Sequence, residues 1–312
     1  MSLERALELA ERGRGTTHPN PVVGAVVVRD GEIVGEGWHE RRGEPHAEVI
    51  ALEAAGDRAR GATLYLTMEP CAHHGSTPPC TEAVIAAGVA KVVAGSLDPN
   101  PEARGGFDVL RAAGVEVVDA DSFAARVQNE AWRLWVAEGR PFVILKLALT
   151  LDGRVAAPEA RWISGEESRR RVHELRAQVD AVAVGMGTVR ADDPQLTVRA
   201  VEVPRQPRRL AFGRGPLPEG SELELRSGPL EEELSALAAD GIQSLLLEGG
   251  PTLAASFLRA DLLDKLMLFV APLVAGSGPT FAPELDTPVE LGRLTAERVG
   301  DDLLLTGYVH EP

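Results

Sequence analysis

His46-Ala47-Glu48, Pro70-Cys71 and Pro78-Pro79-Cys80 are separated along the chain, so a metal ion shared by their side chains would force three loop-to-helix junctions to one point. Local signals permit this. His46 opens a helical stretch running to Ala55, Pro70-Cys71 begins a turn toward a helix, and Pro78-Pro79-Cys80 enters another. One imidazole and two thiolates suit Zn²⁺. Three protein ligands leave the fourth tetrahedral position for water, the arrangement of a catalytic site, whereas a closed structural site needs a fourth protein ligand. Zinc lowers the pKa of bound water toward neutrality, and Glu48, two residues from His46, is the carboxylate that could carry its proton to a leaving group. Taken singly, these residues could be a core histidine, a solvated glutamate and two small buried thiols. Together and in register they point to hydrolytic metal chemistry.

The chain has 312 residues, 44% of them hydrophobic, which exceeds what one core usually serves and predicts two domains. Lys and Arg total 32 against 47 Asp and Glu, a net charge of −15 that opposes binding to nucleic-acid phosphates or anionic membranes. A small-molecule substrate is expected, and an anionic one would need local positive groups in its pocket. The opening MSLERALELAERGRG places Leu3, Leu7 and Ala10 at helical spacing among charges and has no signal-peptide core, so cytoplasmic residence is expected. The longest apolar run, Leu266 to Gly276, contains Pro272 and is too short to span a bilayer. Cys71 and Cys80 are the only cysteines, and in a reducing cytosol such a pair suggests metal ligation more than a disulfide.

Periodicity predicts a helix over 2–12, a hairpin of strands Val22–Val28 and around Ile33 joined at Asp30-Gly31, the helix from His46 to Ala55, and a strand Leu64–Leu66. A helix after Pro79 ending at Gly88, a strand Val89–Ala94, a helix ending near Gly114 and a strand Val115–Val118 follow. One helix over Ser122–Ala137, capped by Ser122 and stopped by Gly139-Arg140-Pro141, closes domain 1–140. Domain 141–312 starts with a strand over Phe142–Leu149 and alternates with helices around 165–177, 230–239 and 252–260, while the Pro-, Gly- and charge-rich stretch 201–230 reads as loop. Both domains are expected to be α/β.

H-x-E followed by P-C is the pattern of zinc deaminases, although the two cysteines here are nine residues apart instead of three. With that longer spacing, Thr17-His18-Pro19-Asn20-Pro21 and Asp98-Pro99-Asn100-Pro101 closely resemble the deaminase half of the bifunctional riboflavin-pathway deaminase/reductase family. The resemblance implies a cytidine-deaminase-like α/β/α sandwich in which His46, Cys71 and Cys80 hold zinc, Glu48 is the general acid/base, Asn20 contacts substrate, and His39 and His73 are pocket neighbours. Ser76 stands where the family usually has Lys or Arg, which removes a cation able to pair with the substrate phosphate.

In the second domain a strand Leu245–Leu247 leads into Glu248-Gly249-Gly250-Pro251-Thr252 and a helix, a turn able to seat an anion though not a G-x-G-x-x-G fingerprint. Lys146 with Leu151-Asp152-Gly153-Arg154, Trp162-Ile163-Ser164, Gly187-Thr188 and Asp192-Asp193-Pro194-Gln195-Leu196-Thr197 resemble the reductase half. This implies a dihydrofolate-reductase-like domain using NADPH to convert the ribose of the aminouracil to a ribityl chain. By the same resemblance Trp162, Thr188, Asp192 and the run Gly250, Pro251, Thr252, Leu253, Ala254, Ala255, Ser256 contact NADPH. Arg176, Leu196, Arg199 and Glu248 contact substrate, and Lys146 and Asp192 are the polar groups near the reacting carbon. Ala160 replaces a substrate-contacting Ser, Phe212-Gly213-Arg214 replaces a strand ending in Asp-Ser or Asp-Thr, and the segment 200–245 is short, so the departures from the family fall mainly in the reductase half.

Three functions are compatible with these features: a bifunctional enzyme, a deaminase whose second domain only binds ligand or scaffolds assembly, and a nucleic-acid editing deaminase. The acidic balance and lack of a basic stripe disfavour the third. The expected partners are a phosphorylated pyrimidine and a second copy of the chain, with neither nucleic acid nor membrane.

Overall fold

The computed structural model describes residues 2–74, 78–158, 162–199, 201–203, 205–281, 285 and 287–312. Ser76 and Ala160, two of the departures noted above, lie outside the described residues. The chain divides into two compact units, one ending at Glu138 and the other spanning Gly139–Glu311.

The first unit is built on a five-stranded sheet: β1 Gly24–Arg29, β2 Glu32–Trp38, β3 Thr63–Leu66, β4 Lys91–Ala94 and β5 Glu116–Asp119, in the order β2-β1-β3-β4-β5. β1 pairs antiparallel with β2 and β3, whereas β3, β4 and β5 are parallel. The hairpin turn places Asp30 and Gly31 at φ 53° and 83°, the double left-handed geometry that an Asp-Gly pair supplies. Helix α1, Ser2–Ala10, packs on the hairpin, α2, Ala47–Ala55, covers the same strands, and α3, Cys80–Ala87, lies against α2. The height of α2 is set by backbone contact, since a Cβ at Gly37 would lie 2.5 Å from Ala47 O and 2.6 Å from Ala51 N. Leu64, Leu66, Val92 and Leu110 fill the core between these layers.

After α4, Gly106–Ala112, the expected single helix over 122–137 is two: α5, Phe123–Gln128, and α6, Glu130–Glu138. Ser122 caps α5 as expected, its hydroxyl accepting from the Ala125 N–H at 3.4 Å. The break falls at Asn129, whose buried amide accepts from the Val22 N–H and donates to the Val22 carbonyl, both at 2.9 Å. A side chain thereby satisfies a backbone pair ahead of β1, a demand that helical periodicity does not reveal.

The second unit has an eight-stranded sheet ordered β12-β13-β11-β6-β10-β7-β8-β9. Its strands are β6 Phe142–Thr150, β7 Ala181–Gly185, β8 Arg208–Phe212, β9 Glu224–Arg226, β10 Ser244–Leu247, β11 Lys265–Ala271, β12 Gly292–Val299 and β13 Asp302–Tyr308. From β11 through β6 to β9 all pairings are parallel, and β13 and β12 close one edge antiparallel. This is the dihydrofolate-reductase-like α/β layout expected. Strand β6 reads as an almost unbroken apolar run because it is central and covered, with Lys146 its one charge. Helices α7 Glu166–Gln178, α8 Met186–Asp192, α9 Leu230–Ala239 and α10 Pro251–Arg259 complete the unit. The stretch 201–230, expected to be loop, contains β8 and β9. Arginines at the start of β8 disguise it, because Arg208 projects into ion pairs with Glu224 and Asp240 while Leu210, Ala211 and Phe212 enter the core. A strand is therefore retained before Gly213-Arg214, ending in Phe212.

Candidate active sites

His46 caps α2 in extended conformation, Cys80 begins α3, and Cys71 lies in the segment following β3. A Cβ at Gly106 would meet Pro70 O at 1.8 Å, so the chain around Cys71 rests directly on the start of α4. His46 Nδ1 lies 3.0 Å from Cys80 Sγ and 3.8 Å from Cys71 Sγ, and the three donor atoms all lie within 4.8 Å of one another. The thiol of Cys80 holds Cys71 down at about 4; burial opposes this, while His46 and the Cys80 N–H, 3.4 Å from Cys71 Sγ, support it. The same contact pushes Cys80 up, so the pair favours a single thiolate until a cation arrives. This donor set fits zinc, and the remaining thiol releases its proton when the metal binds.

Glu48 stands in the first turn of α2, 3% exposed, with Oε2 lacking any hydrogen-bond partner. Burial pushes its pKa above the ordinary carboxyl value, opposed by His46. An unpartnered carboxyl oxygen in such a place is costly unless a ligand completes it.

Beside the triad lies a cavity of about 410 Å³ lined by Asn20, His39, Arg42, Glu44, Glu48, Glu69, His73, Asp98, Asn100, Trp132 and Trp135, among others. His39 directs Nδ1 to the Pro45 carbonyl at 3.3 Å and Nε2 to the Asn20 amide nitrogen at 3.4 Å. A carbonyl can only accept, so Nδ1 carries the proton, Nε2 accepts from Asn20, and the Asn20 oxygen is left for another donor. Glu69 holds the opposite wall: its oxygens accept from the Phe107 N–H at 2.9 Å and the Asp98 N–H at 3.2 Å, and Asp98 in turn accepts from the Asn100 N–H at 2.8 Å. Burial raises Asp98 to about 6. Roles for Arg42, Glu69, Trp132 and Trp135 escaped the sequence reading. The i, i+3 pair of tryptophans was the available signal, but a helix of unknown orientation does not say which face meets a pocket.

In the second unit Glu248 follows β10. The register Leu247↔Leu145 puts the next residues, Glu248 and Lys146, on neighbouring strands, with Nζ 3.6 Å from the carboxylate. Arg176 of α7 grips Glu248 through Nε at 2.5 Å and Nη2 at 3.1 Å and donates through Nη1 to the Thr197 carbonyl at 3.0 Å. Burial works against the charge on Glu248, but Lys146 and Arg176 outweigh it and hold the carboxyl below its ordinary value. Burial pulls the Lys146 ammonium down, Glu248 opposes this, and repulsion by Arg176 adds to the burial. Lys146, Arg176 and Glu248 are thus brought together.

The other expected residues are dispersed around this centre. Leu196 is buried at φ 52°, and the exposed Arg199 donates its N–H to His173 Nδ1 at 3.3 Å. Asp192 ends α8, exposed, and among the described residues no hydrogen bond or ion pair joins it to Lys146. Trp162 is 60% exposed, with the Arg169 guanidinium 5.5 Å from its ring centroid. Helix α10 starts at Gly250 with no side-chain cap, and a Cβ on Gly250 would lie 3.7 Å from Thr188 Oγ1. First-turn N–H groups next to Thr188 are therefore not capped by a side chain. Thr252 is exposed, and Pro251, Leu253 and Ser256 are half-buried. Ala254 and Ala255 are fully buried, so their methyl groups face the interior while the other side of the helix start is open.

Comparison with known proteins finds two family matches along the chain. Residues 2–96 match the family of the cytidine and deoxycytidylate deaminase zinc-binding region, and residues 141–305 match the RibD C-terminal domain. The riboflavin biosynthesis protein RibD of Aquifex aeolicus is 39% identical, the alignment covering 97% of this chain and 96% of that one. The chain belongs to the RibD family. Other members include the Escherichia coli protein, 42% identical over 88% of each chain, and that of Mycobacterium tuberculosis, 42% identical over 96% of this chain and 94% of the relative. Acinetobacter baumannii RibD superposes with a TM-score of 0.84 at 36% identity, covering 98% and 97% of the two chains. A Thermotoga maritima structure described as a diaminohydroxyphosphoribosylaminopyrimidine deaminase/5-amino-6-(5-phosphoribosylamino)uracil reductase gives 0.83 at 36% identity with the same coverage.

Proposed function

We propose that this RibD-family chain deaminates 2,5-diamino-6-(5-phosphoribosylamino)pyrimidin-4-one and then reduces the ribosyl group of the product with NADPH, giving 5-amino-6-(5-phosphoribitylamino)uracil. The observation that carries the first step is the buried, half-unpartnered Glu48 carboxylate beside His46, Cys71 and Cys80. Zinc held by those three residues would supply an acidified water. Glu48 takes the water proton and returns it to the departing ammonia, a shuttle for which a carboxyl pKa raised by burial is suited. Asn20 offers its amide oxygen to a ring amino or ribose hydroxyl, and Trp132 and Trp135 contribute apolar wall.

In the second step NADPH supplies hydride. The first turn of α10 and Thr188 would seat its phosphates, with Trp162 beside it, while Glu248, kept ionised by Arg176, hydrogen-bonds substrate. Lys146 is the proton donor to the ribose ring oxygen as the ring opens, since its burial makes the ammonium a readier acid; Asp192 would approach only with ligand bound. No described helix is long and apolar enough to cross a membrane, and a cytoplasmic homo-oligomer belongs to the same reading. Exposed Leu294 and Leu303 on the β12–β13 edge support the oligomer, and light scattering tests it.

The experiment is a coupled assay of zinc-replete protein with the diaminopyrimidine ribosyl phosphate, following ammonia release and NADPH oxidation together. Both signals are expected. Ammonia without NADPH oxidation refutes the second step.

A further inference from the structure

An acidic protein that takes a phosphorylated substrate must place positive charge locally, and the cavity beside the zinc triad offers very little. Its lining includes four carboxylates, Glu44, Glu48, Glu69 and Asp98, against a single side chain with a permanent positive charge, Arg42. Neither Arg41 nor Arg104, chain neighbours of lining residues, lines it. The sequence from His73 through Cys80 contains no Lys or Arg.

Arg42 is also uncommitted. Several other arginines of this unit are tied down: Arg5 to Glu36, Arg14 to Glu11, Arg126 to Asp121 and Arg133 to the Leu97 carbonyl. No hydrogen bond, ion pair or aromatic ring holds the Arg42 side chain among the described residues, although Glu44 is two residues away and lines the same cavity. Its loop is nonetheless well anchored. The segment runs from His39, bonded to Val23 O and Pro45 O, to His46 at the metal site, with Arg41 O accepting from the Glu44 N–H at 3.1 Å. Arg42 is thus an exposed guanidinium at the mouth of the cavity, on a backbone fixed at both ends by residues of the site itself.

Resting on the deaminase reading above, we propose that Arg42 is the phosphate anchor of the deamination site: its guanidinium pairs with the 5′-phosphate while the pyrimidine ring lies over the zinc triad. Planar N–H donors in a fork match phosphate oxygens, and in a cavity that also holds four carboxylates this one guanidinium decides whether a dianionic tail is accepted. The phosphate contact is made alike before and during the chemical step, so it acts as uniform binding and its loss is read in KM.

The test compares the phosphorylated aminopyrimidine with its dephosphorylated nucleoside as substrates for ammonia release, in wild type, Arg42→Ala and Arg42→Lys, with zinc content measured for each. Loss of one charge-assisted pair should raise KM for the phosphorylated substrate by about tenfold to a hundredfold in Arg42→Ala. Its kcat, its zinc content and all parameters for the nucleoside should stay within about twofold, and Arg42→Lys should recover part of the loss. Added inorganic phosphate should compete with the phosphorylated substrate in wild type and much less in Arg42→Ala. An equal loss on both substrates, or no loss on either, overturns the assignment while leaving the deaminase reading intact. Wild type releasing ammonia from neither compound overturns both.

Discussion

Replacing Glu48 by Gln keeps the volume and one hydrogen-bonding end of the side chain but removes its capacity to carry a proton. The carboxyl is 3% exposed and Oε2 has no protein partner, so the substitution breaks no existing contact at that oxygen and withdraws a group whose ionised form burial disfavours. The protein without substrate should therefore be no less stable than wild type, and zinc should be retained because His46, Cys71 and Cys80 are untouched. Turnover is another matter. A positioned general acid/base contributes about 10²–10⁴-fold, equivalent to roughly 3–5 kcal/mol of barrier, and in the proposed shuttle both proton transfers pass through this one group. Ammonia release by Glu48→Gln should fall by at least about a hundredfold, with KM little changed. NADPH oxidation should remain normal when the deaminated intermediate is supplied directly. Turnover within about tenfold of wild type at full zinc occupancy would refute the shuttle and with it the reason given for the orphaned oxygen.

Asp264, fully buried, accepts from both terminal nitrogens of Arg140 at 2.8 and 2.7 Å and from the Val143 N–H at 2.7 Å; Asp264→Ala should cost the second unit about 3–5 kcal/mol in urea unfolding, since it strands a cation and a backbone donor. Asn129→Ala, which unpairs the Val22 N–H and C=O, should lower the stability of the first unit by about 2–4 kcal/mol, and an unchanged unfolding midpoint would show that water replaces the amide. Asp98 has a folded pKa near 6 because burial penalises its charge; the unfolded carboxyl loses its proton first, so this group removes stability as pH rises from about 4 to about 6. Asp98→Asn should therefore stabilise the protein by about 2–3 kcal/mol at pH 8 and by little at pH 4, and a stabilisation independent of pH would contradict the burial argument.

Much of the first unit was legible because its chemistry sits at helix starts that punctuation reveals. Pro79 before Cys80 and the extended His46 before α2 are junctions where side chains can converge without interrupting a helix or strand. What remained hidden required long-range knowledge. Asn129 looks like any polar residue on an amphipathic helix until Val22 is placed beside it, and only then does the break between α5 and α6 have a cause. Arg42 likewise is one of many arginines until the cavity shows that it is the arginine in the lining.

The second unit was less legible for a related reason: its centre is assembled by strand register, and single-chain periodicity carries no register. Lys146 announces itself as the one charge inside an apolar strand, but its meeting with Glu248 depends on β6 and β10 pairing as Leu145 with Leu247. Had the register slipped by one residue, Lys146 would face the other side of the sheet from Glu248. Arg176 makes the arrangement more than a pair. It crosses from α7 to Glu248 and onward to the Thr197 carbonyl, so the loop carrying Leu196 and Arg199 is tied to the same carboxylate that neighbours Lys146. The loop carrying Leu196 and Arg199 and the buried lysine thus share one anchor, so a change in the order of that loop is expected to reach Lys146 through Glu248.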